Sequence, residues 1–305
     1  MEKTEPAYIR THASGALSEK IRDSRQILEN CELCPRRCGV NRLAGETGIC
    51  KTPEEAQVSS FNAHFGEEVP LVGRNGSGTI FFTHCNLMCC FCQNFDISHE
   101  GWGSKVNDEE LAAIMIALQD EGCHNINLVT PSHIVPQFLS ALEKAIAAGL
   151  TLPIVYNSGG YDRVETLRLL EGVVDIYMPD FKFWDSAIAE AACDAPDYPD
   201  VAKAAIREMH RQTGDLKTDE HGIARSGLLV RHLVLPQDLA GTRQIMQFLY
   251  DSISPNTYVN IMPQYRPCGN VHQVKGLDRM ITSEEFQAAR EAAREEGITR
   301  LDRIR

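Results

Sequence analysis

Short apolar runs alternate with amphipathic helical stretches along most of the chain. The runs fall at 79–82 (Thr79-Ile80-Phe81-Phe82), 126–129, 153–156, 173–178, 228–235 and 258–262. They are short, rich in β-branched and aromatic residues, and apolar almost throughout, which is the pattern of strands covered on both faces. Between them the apolar residues return at helical spacing. The stretch 108–120 carries Leu111, Ile114 and Leu118 on one face behind a potential N-cap, Asn107. Similar stretches occupy 135–148, 162–170, about 201–211, 239–250 and 283–296, and an earlier one spans 14–30 with Leu17, Ile21 and Ile27 on one face. Six apolar strands alternating with helices predict the α/β class and a parallel sheet with helical crossovers. Closure as an open or partial (β/α)6 barrel follows, and in such barrels the chemistry gathers at the C-terminal ends of the strands.

A chain of 305 residues accommodates one such domain with an extension. The reading divides it into an N-terminal, cysteine-rich extension over 1–74 and a core domain over 75–305. A formal net charge of −12 opposes a broad nucleic-acid or anionic-membrane surface, since both partners are polyanions. No apolar run approaches the roughly 20 residues that span a bilayer. Met1-Glu2-Lys3-Thr4-Glu5-Pro6 lacks the basic and apolar regions of a signal peptide, so a cytoplasmic protein is expected.

Eleven cysteines are many for a reducing compartment, where disulfides are rare and clustered thiols serve as metal ligands or catalysts. Eight fall in two groups. Cys123, Cys193 and Cys268 stand alone and read as small buried hydrophobes. The second group, Cys85-Asn86-Leu87-Met88-Cys89-Cys90-Phe91-Cys92, follows the first apolar strand and has C-x3-C-x2-C spacing. Three thiolates so placed can hold three irons of a [4Fe–4S] cluster and leave the fourth iron open to a small molecule. A structural zinc site would want a fourth ligand, and Cys90, adjacent to Cys89, is a poor partner in the same tetrahedron.

This spacing, the aromatic Phe91 before the third cysteine and the α/β alternation downstream resemble the radical S-adenosylmethionine superfamily over roughly 75–300. The resemblance implies a partial (β/α)6 barrel, a [4Fe–4S] cluster on Cys85, Cys89 and Cys92, and S-adenosylmethionine chelated at the open iron. It also implies one-electron cleavage of that cofactor to a 5′-deoxyadenosyl radical, which abstracts hydrogen from a substrate.

The remaining strand ends supply candidates for holding the cofactor. Many members of the superfamily place Gly-Gly-Glu after the second strand to bind the methionine amine. This chain has Thr130-Pro131-Ser132, so Asn127, Thr130 and Ser132 are the groups able to replace those bonds. Asn157 and Ser158 end the third strand ahead of Gly159-Gly160, whose glycines let backbone approach a ligand closely or simply make a turn. Asp180-Phe181-Lys182 ends the fourth and resembles the glycyl-radical-enzyme activases. In the fifth, Arg231 must meet a carboxylate or point into the barrel, because an unpaired buried charge is costly. Met262 ends the sixth, where it can line the adenine. No catalytic residue is assigned beyond the cluster.

The first cysteine group, Cys31, Cys34, Cys38 and Cys50, has C-x2-C-x3-C-x11-C spacing and can close around zinc or hold a second Fe–S cluster. Arg36, Arg37, Arg42 and Lys51 make this segment locally basic, either as a solvated face or as a docking patch for an acidic electron donor such as a flavodoxin or ferredoxin. Joined to Asn260-Ile261-Met262-Pro263-Gln264-Tyr265, the segment resembles the subfamily labelled pyruvate formate-lyase activating enzyme-related. Two enzymatic readings follow: an activase drawing hydrogen from a backbone glycine of a glycyl radical enzyme, or a radical enzyme acting on another peptide or a small metabolite. A non-catalytic iron–sulfur or zinc electron-transfer or binding protein is the reading from another class, and it needs a fourth ligand at Cys85–Cys92.

Overall fold

The structure, a computed structural model, describes residues 5–303. Met1 to Thr4, part of the segment read for a signal peptide, lie outside the described residues. The chain begins with α1 (Ala7–Ala13) and α2 (Ala16–Gln26), then β1 (Ala56–His64), α3 (Val69–Val72) and β2 (Ser77–Phe82). After α4 (Phe95–Ser98), β3 (Ser104–Val106) and α5 (Asp108–Asp120), a regular alternation follows: β4 (Ile126–Val129), α6 (Val135–Ala147), β5 (Ile154–Ser158), α7 (Val164–Leu169) and β6 (Ile176–Pro179). Next come α8 (Ser186–Cys193), α9 (Tyr198–Thr213), β7 (Lys217–Thr218), β8 (Ala224–Leu233), α10 (Thr242–Ser252), β9 (Tyr258–Met262) and α11 (Ser283–Glu295).

All six strands expected from the apolar runs form. They lie parallel in the order β2-β4-β5-β6-β8-β9, with no ladder joining β9 to β2 among the described residues. The result is the expected α/β fold, an open barrel of six parallel strands. β1 adds antiparallel to β2, and β3 to β1, so the N-terminal stretch extends the same sheet. β7 pairs antiparallel with β8.

Both faces of the parallel strands are covered, which is why their sequences run apolar without alternation. Ile80, Ile126, Leu128, Ile154 and Tyr156 face the helices, where Leu111, Met115, Leu118, Phe138 and Leu142 meet them. Val155, Ile176, Met178 and Leu229 form a smaller core with Leu71 of α3. Asn125 fastens that plug by donating from Nδ2 to the Leu71 carbonyl at 2.9 Å. Among the described residues no helix is long and apolar enough to cross a membrane.

Helix α5 matches its predicted span, with Asn107 and Glu110 forming a reciprocal capping box. The single helix expected over 14–30 is instead broken. Gly15, at φ 81°, ends one helical segment and begins α2, and Ile27–Asn30 tightens into a 3₁₀ turn. Strand β1 went unpredicted because seven of its nine positions, including Phe61, are exposed or partly so, which leaves no continuous apolar run.

Of the two glycines after β5, Gly160 answers to packing. Its φ is 76°, and a Cβ there would stand 2.1 Å from the Asp180 carbonyl oxygen. Gly160→Ala should therefore cost about 2 kcal/mol or more, since main chain cannot yield as a side chain can. Gly149→Ala, which shares a positive φ but meets nothing within 4 Å, should cost only about 1 kcal/mol. Urea unfolding of the two variants checks the ordering, and equal losses would contradict it.

Candidate active site

The C-terminal ends of the parallel strands surround a cavity of about 240 Å³. Strand β2 runs directly into the cysteine loop, and the side chains of Cys85, Cys89 and Cys92 line one wall. The loop is held in unusual backbone: His84 and Met88 have φ of 65° and 55°, a region that non-glycine residues seldom occupy. Backbone N–H groups aim at the sulfurs, with Leu87 N donating to Cys85 Sγ at 3.3 Å. Burial pushes the Cys85 thiol up to about 12 and raises Cys92 as well. Cys89 is held below the usual thiol range, chiefly by a hydrogen bond from Cys193 and further by Lys182.

Cys90 is buried but does not line the cavity; its backbone N–H donates to the Ala192 carbonyl at 2.8 Å. Cys193, buried against Cys89 and also off the cavity wall, differs from the inert hydrophobe its isolation suggested. Cys268 lies close too, its Sγ donating to the Phe91 carbonyl at 3.1 Å. Only long-range packing brings these thiols to the loop, so sequence spacing gives no sign of them. Cys123, by contrast, is a small buried side chain in the core.

Of the residues named for cofactor contact, Thr130, Asn157, Ser158, Asp180, Lys182, Arg231 and Met262 all line the cavity. The register explains the convergence. Val129 pairs with Asn157, Asn157 with Met178, and Asp180 bridges to Arg231, so successive strand ends present side chains at one level. Thr130 has φ 61°, an unusual conformation for a β-branched residue, and its N–H donates to the Asn157 carbonyl at 2.8 Å.

Asn127 and Ser132 do not line the cavity. The Ser132 hydroxyl donates to Asp162 Oδ1 at 2.6 Å, joined there by Tyr156 at 2.9 Å, while Ser158 donates to Oδ2 at 2.5 Å. Asn127 sits one inward-facing position below Val129, fully buried, its side chain against the Glu67 carboxylate.

Arg231 meets both expectations set for it: it lines the cavity and donates from Nε to Asp180 Oδ1 at 2.7 Å. The other Asp180 oxygen accepts from Lys182 Nζ. Burial alone would raise Asp180, but Arg231 and Lys182 hold its carboxyl below the usual aspartate range. Burial opposes the Lys182 charge, which Asp180 and the Cys89 sulfur nevertheless favour.

Sequence reading missed Glu67 and Glu68, which precede α3 and enter the barrel beneath Arg231. Their carboxylates stand 3.9 and 4.0 Å from its guanidinium. Glu68 Oε1 accepts from Asn260 at 2.9 Å, while its Oε2 is buried without a partner. Two adjacent acids just ahead of the buried Pro70-Leu71-Val72 run were the available signal. Three carboxylates thus face two cations, Arg231 and Lys182. Burial accordingly pushes Glu68 up to about 7, against the pull of Arg231.

The four thiols of Cys31, Cys34, Cys38 and Cys50 line a separate cavity of about 10 Å³, with Arg36, Arg42 and His133 among its neighbours. It is far smaller than the cavity lined by Cys85, Cys89 and Cys92. Among the described residues, however, no three His, Cys, Asp or Glu side chains are set close enough to hold a metal ion as they stand. Ligands of a [4Fe–4S] cluster are spread wider than those of one ion, so this counts against a single ion and not against a cluster at either group of thiols. The basic patch expected around this segment is much reduced. Arg42 is buried, bonded to the carbonyls of Pro53 and His133, and Arg36 is engaged with the cysteine loop. A wider cleft of about 500 Å³ lies elsewhere, against Arg25, Glu54, Lys105 and Asp108. It contains no thiol and none of the parallel-strand ends.

The raised Glu68 carboxyl makes stability depend on pH. Its folded-state value of about 7 exceeds the ordinary 4.5, so the folded chain binds this proton more tightly. Stability from that proton is fully present below about 4.5 and is lost as pH rises through 7. Glu68→Gln should flatten this loss, on the order of 1–3 kcal/mol. Unfolding measured from pH 4.5 to 8 checks it; parallel wild-type and variant curves would show that Glu68 titrates normally.

No family model matches the chain. Among solved structures it resembles that of a radical SAM methyltransferase from Sphaerobacter thermophilus, with a TM-score of 0.50 and 14% identity over 72% of this chain. The match spans 64% of that protein, less than two thirds of its length, and shows a common fold. Among curated proteins it is 35% identical over 285 residues to the uncharacterized protein MJ0674 of Methanocaldococcus jannaschii, covering 91% of this chain and 78% of that one. The chain has a fold of the radical SAM type and belongs to the family of the Methanocaldococcus jannaschii protein MJ0674.

Proposed function

We propose that this chain is a radical SAM enzyme, with Cys85, Cys89 and Cys92 as the ligands of a [4Fe–4S] cluster. The observation that carries the reading is a single cavity walled by these three thiols and by Asn157, Ser158, Asp180, Lys182, Arg231 and Met262 from the strand ends. Three sulfurs and no fourth on that wall suit a cluster with one open iron. When bound, such a cluster with S-adenosylmethionine supplies one-electron cleavage of the sulfonium and a radical able to abstract hydrogen.

The chain's own groups do the rest. Lys182 offsets negative charge at Cys89 and Cys92. Arg231 and Lys182 together are the cationic side of the cavity, suited to an anionic group such as a carboxylate. Asn157 and Ser158 offer hydrogen bonds, although Ser158 already serves Asp162. Leu87, Phe91, Val129, Leu233 and Met262 give apolar walls that limit water.

For the hydrogen donor we retain a protein or small-molecule substrate entering beside Gln93, Asn94 and Gln264. A backbone glycine of a glycyl radical enzyme is the activase form, supported by Asp180-Phe181-Lys182 at the end of β6. An electron donor of the flavodoxin or ferredoxin kind is the natural reductant. For Cys31, Cys34, Cys38 and Cys50 we retain both metal readings, a zinc or a second cluster, on the four thiols that share one cavity.

Anaerobic reconstitution, reduction and addition of S-adenosylmethionine should yield 5′-deoxyadenosine. Cys85→Ala, Cys89→Ala and Cys92→Ala should each reduce the yield to background, whereas Cys90→Ala should largely retain it. Absence of both cleavage and cofactor binding in fully reconstituted protein would rule out the enzymatic reading. Loss of the cluster on Cys90→Ala but not Cys92→Ala would overturn the ligand assignment. Metal analysis of a Cys31→Ala, Cys34→Ala double variant should show zinc, or the iron of a second cluster, leaving with those thiols, and an unchanged metal content would contradict a metal site there.

A further inference from the structure

Asp162 is a buried carboxylate that forms no ion pair among the described residues. Neighbouring Arg163 turns instead to Glu32 and Glu165, at 3.0 and 2.9 Å. Three hydroxyls satisfy the Asp162 carboxylate. Ser132 and Tyr156 donate to Oδ1 at 2.6 and 2.9 Å, and Ser158 donates to Oδ2 at 2.5 Å. Hydrogen bonds to an ionised acceptor are shorter and roughly twice as strong as neutral ones. Burial raises the carboxyl above the usual aspartate range, and the three hydroxyls oppose that rise. Asp162 does not line the strand-end cavity, and neither do Ser132 and Tyr156.

The donors belong to two neighbouring strand ends. Ser132 closes the turn that begins at Thr130, while Tyr156 and Ser158 flank Asn157 on β5. Side chains alternate along a strand, so Tyr156 and Ser158 share one face and Asn157 takes the other. Main-chain bonds carry the fixed height onward. Thr130 N–H donates to the Asn157 carbonyl at 2.8 Å, and Asp180 N–H donates to that of Ser158 at 2.9 Å. Gly160 N–H adds a bond to Ser158 Oγ at 3.2 Å. Thr130 itself holds φ 61°, a conformation that a β-branched residue keeps only where its surroundings impose it. One carboxylate thus ties the turn after β4, the end of β5 and, through Asp180, the end of β6.

We propose that Asp162 is a positioning residue that sets the level at which Thr130, Asn157 and Asp180 face the cavity. It thereby sets the affinity for S-adenosylmethionine without touching that ligand. This inference rests on the radical SAM reading proposed above.

The test uses full-length protein, reconstituted anaerobically and left unreduced. Binding of S-adenosylmethionine is measured by equilibrium dialysis, with iron content and urea stability alongside. Asp162→Asn keeps the side-chain shape but leaves one acceptor oxygen in place of two. It should bind the cofactor several-fold more weakly at wild-type iron content. Ser132→Ala and Tyr156→Phe, whose hydroxyls lie off the cavity wall, should each weaken binding by a smaller factor. Adding Ser132→Ala to Asp162→Asn should cost less than the sum of the two, because both act through one carboxylate. Asp175→Asn is the control. That buried carboxylate accepts from the N–H groups of Ala7 and Ile154 at 2.8 and 2.9 Å, ahead of β6 and at the end of the sheet remote from the cavity. Asp175→Asn should lower stability and leave the affinity as in wild type. Wild-type affinity in folded Asp162→Asn would overturn the proposal, as would an equal loss in Asp175→Asn or fully additive losses in the double variant. Should Asp162→Asn fail to fold, unchanged affinity in both Ser132→Ala and Tyr156→Phe overturns it. Wild-type protein that forms a [4Fe–4S] cluster but binds no S-adenosylmethionine would instead refute the cofactor reading, and the proposal with it.

Discussion

The pairing of Asp180 with Arg231 governs the mouth of this barrel. Each charge sits where desolvation costs several kcal/mol unless geometry and hydrogen bonds compensate. Compensation comes from a 2.7 Å contact across neighbouring strands, reinforced by the main-chain bond from Phe181 N–H to the Arg231 carbonyl at 2.8 Å. That bridge continues the β6–β8 register past the formal end of β6. It carries Lys182 toward the cysteine loop and leaves Arg231 facing the cavity. Glu67 and Glu68 approach the same guanidinium from below, so the plug that closes the open barrel is tied to the same charge.

Around this pair the molecule arranges two kinds of sulfur site. Cys85, Cys89 and Cys92 face a cavity shared with polar strand ends, the setting of a reactive centre. Cys31, Cys34, Cys38 and Cys50 surround a far smaller space among buried neighbours. Their separation in sequence hides their mechanical closeness, because Arg36 belongs to one and grips the other. A segment that reads as a basic surface is in large part an internal fastening.

The strands and their order of use were legible because covered parallel strands leave continuous apolar runs, and because α5 carries its own cap. The thiol loop was legible from spacing, and most of the strand-end residues from the rule that barrel chemistry gathers there. Asn127 and Ser132 show the limit of that rule. One-residue differences in height and facing along β4 and its loop send Asn127 below the cavity and Ser132 to Asp162. Glu67, Glu68, Cys193 and the grip of Arg36 were not legible, since each depends on a contact between distant segments. No local periodicity records which carbonyls an arginine will find.

Taken together, the fold, the charged mouth and the three-thiol wall support the proposal of an iron–sulfur cluster beside a second, polar ligand. Electron paramagnetic resonance of the reduced, reconstituted protein with and without S-adenosylmethionine tests this most directly. The account predicts a [4Fe–4S] signal that shifts when the cofactor is added, because the cofactor binds the cluster's open iron. A [4Fe–4S] signal indifferent to the cofactor, or a cluster that requires a fourth cysteine, would contradict it.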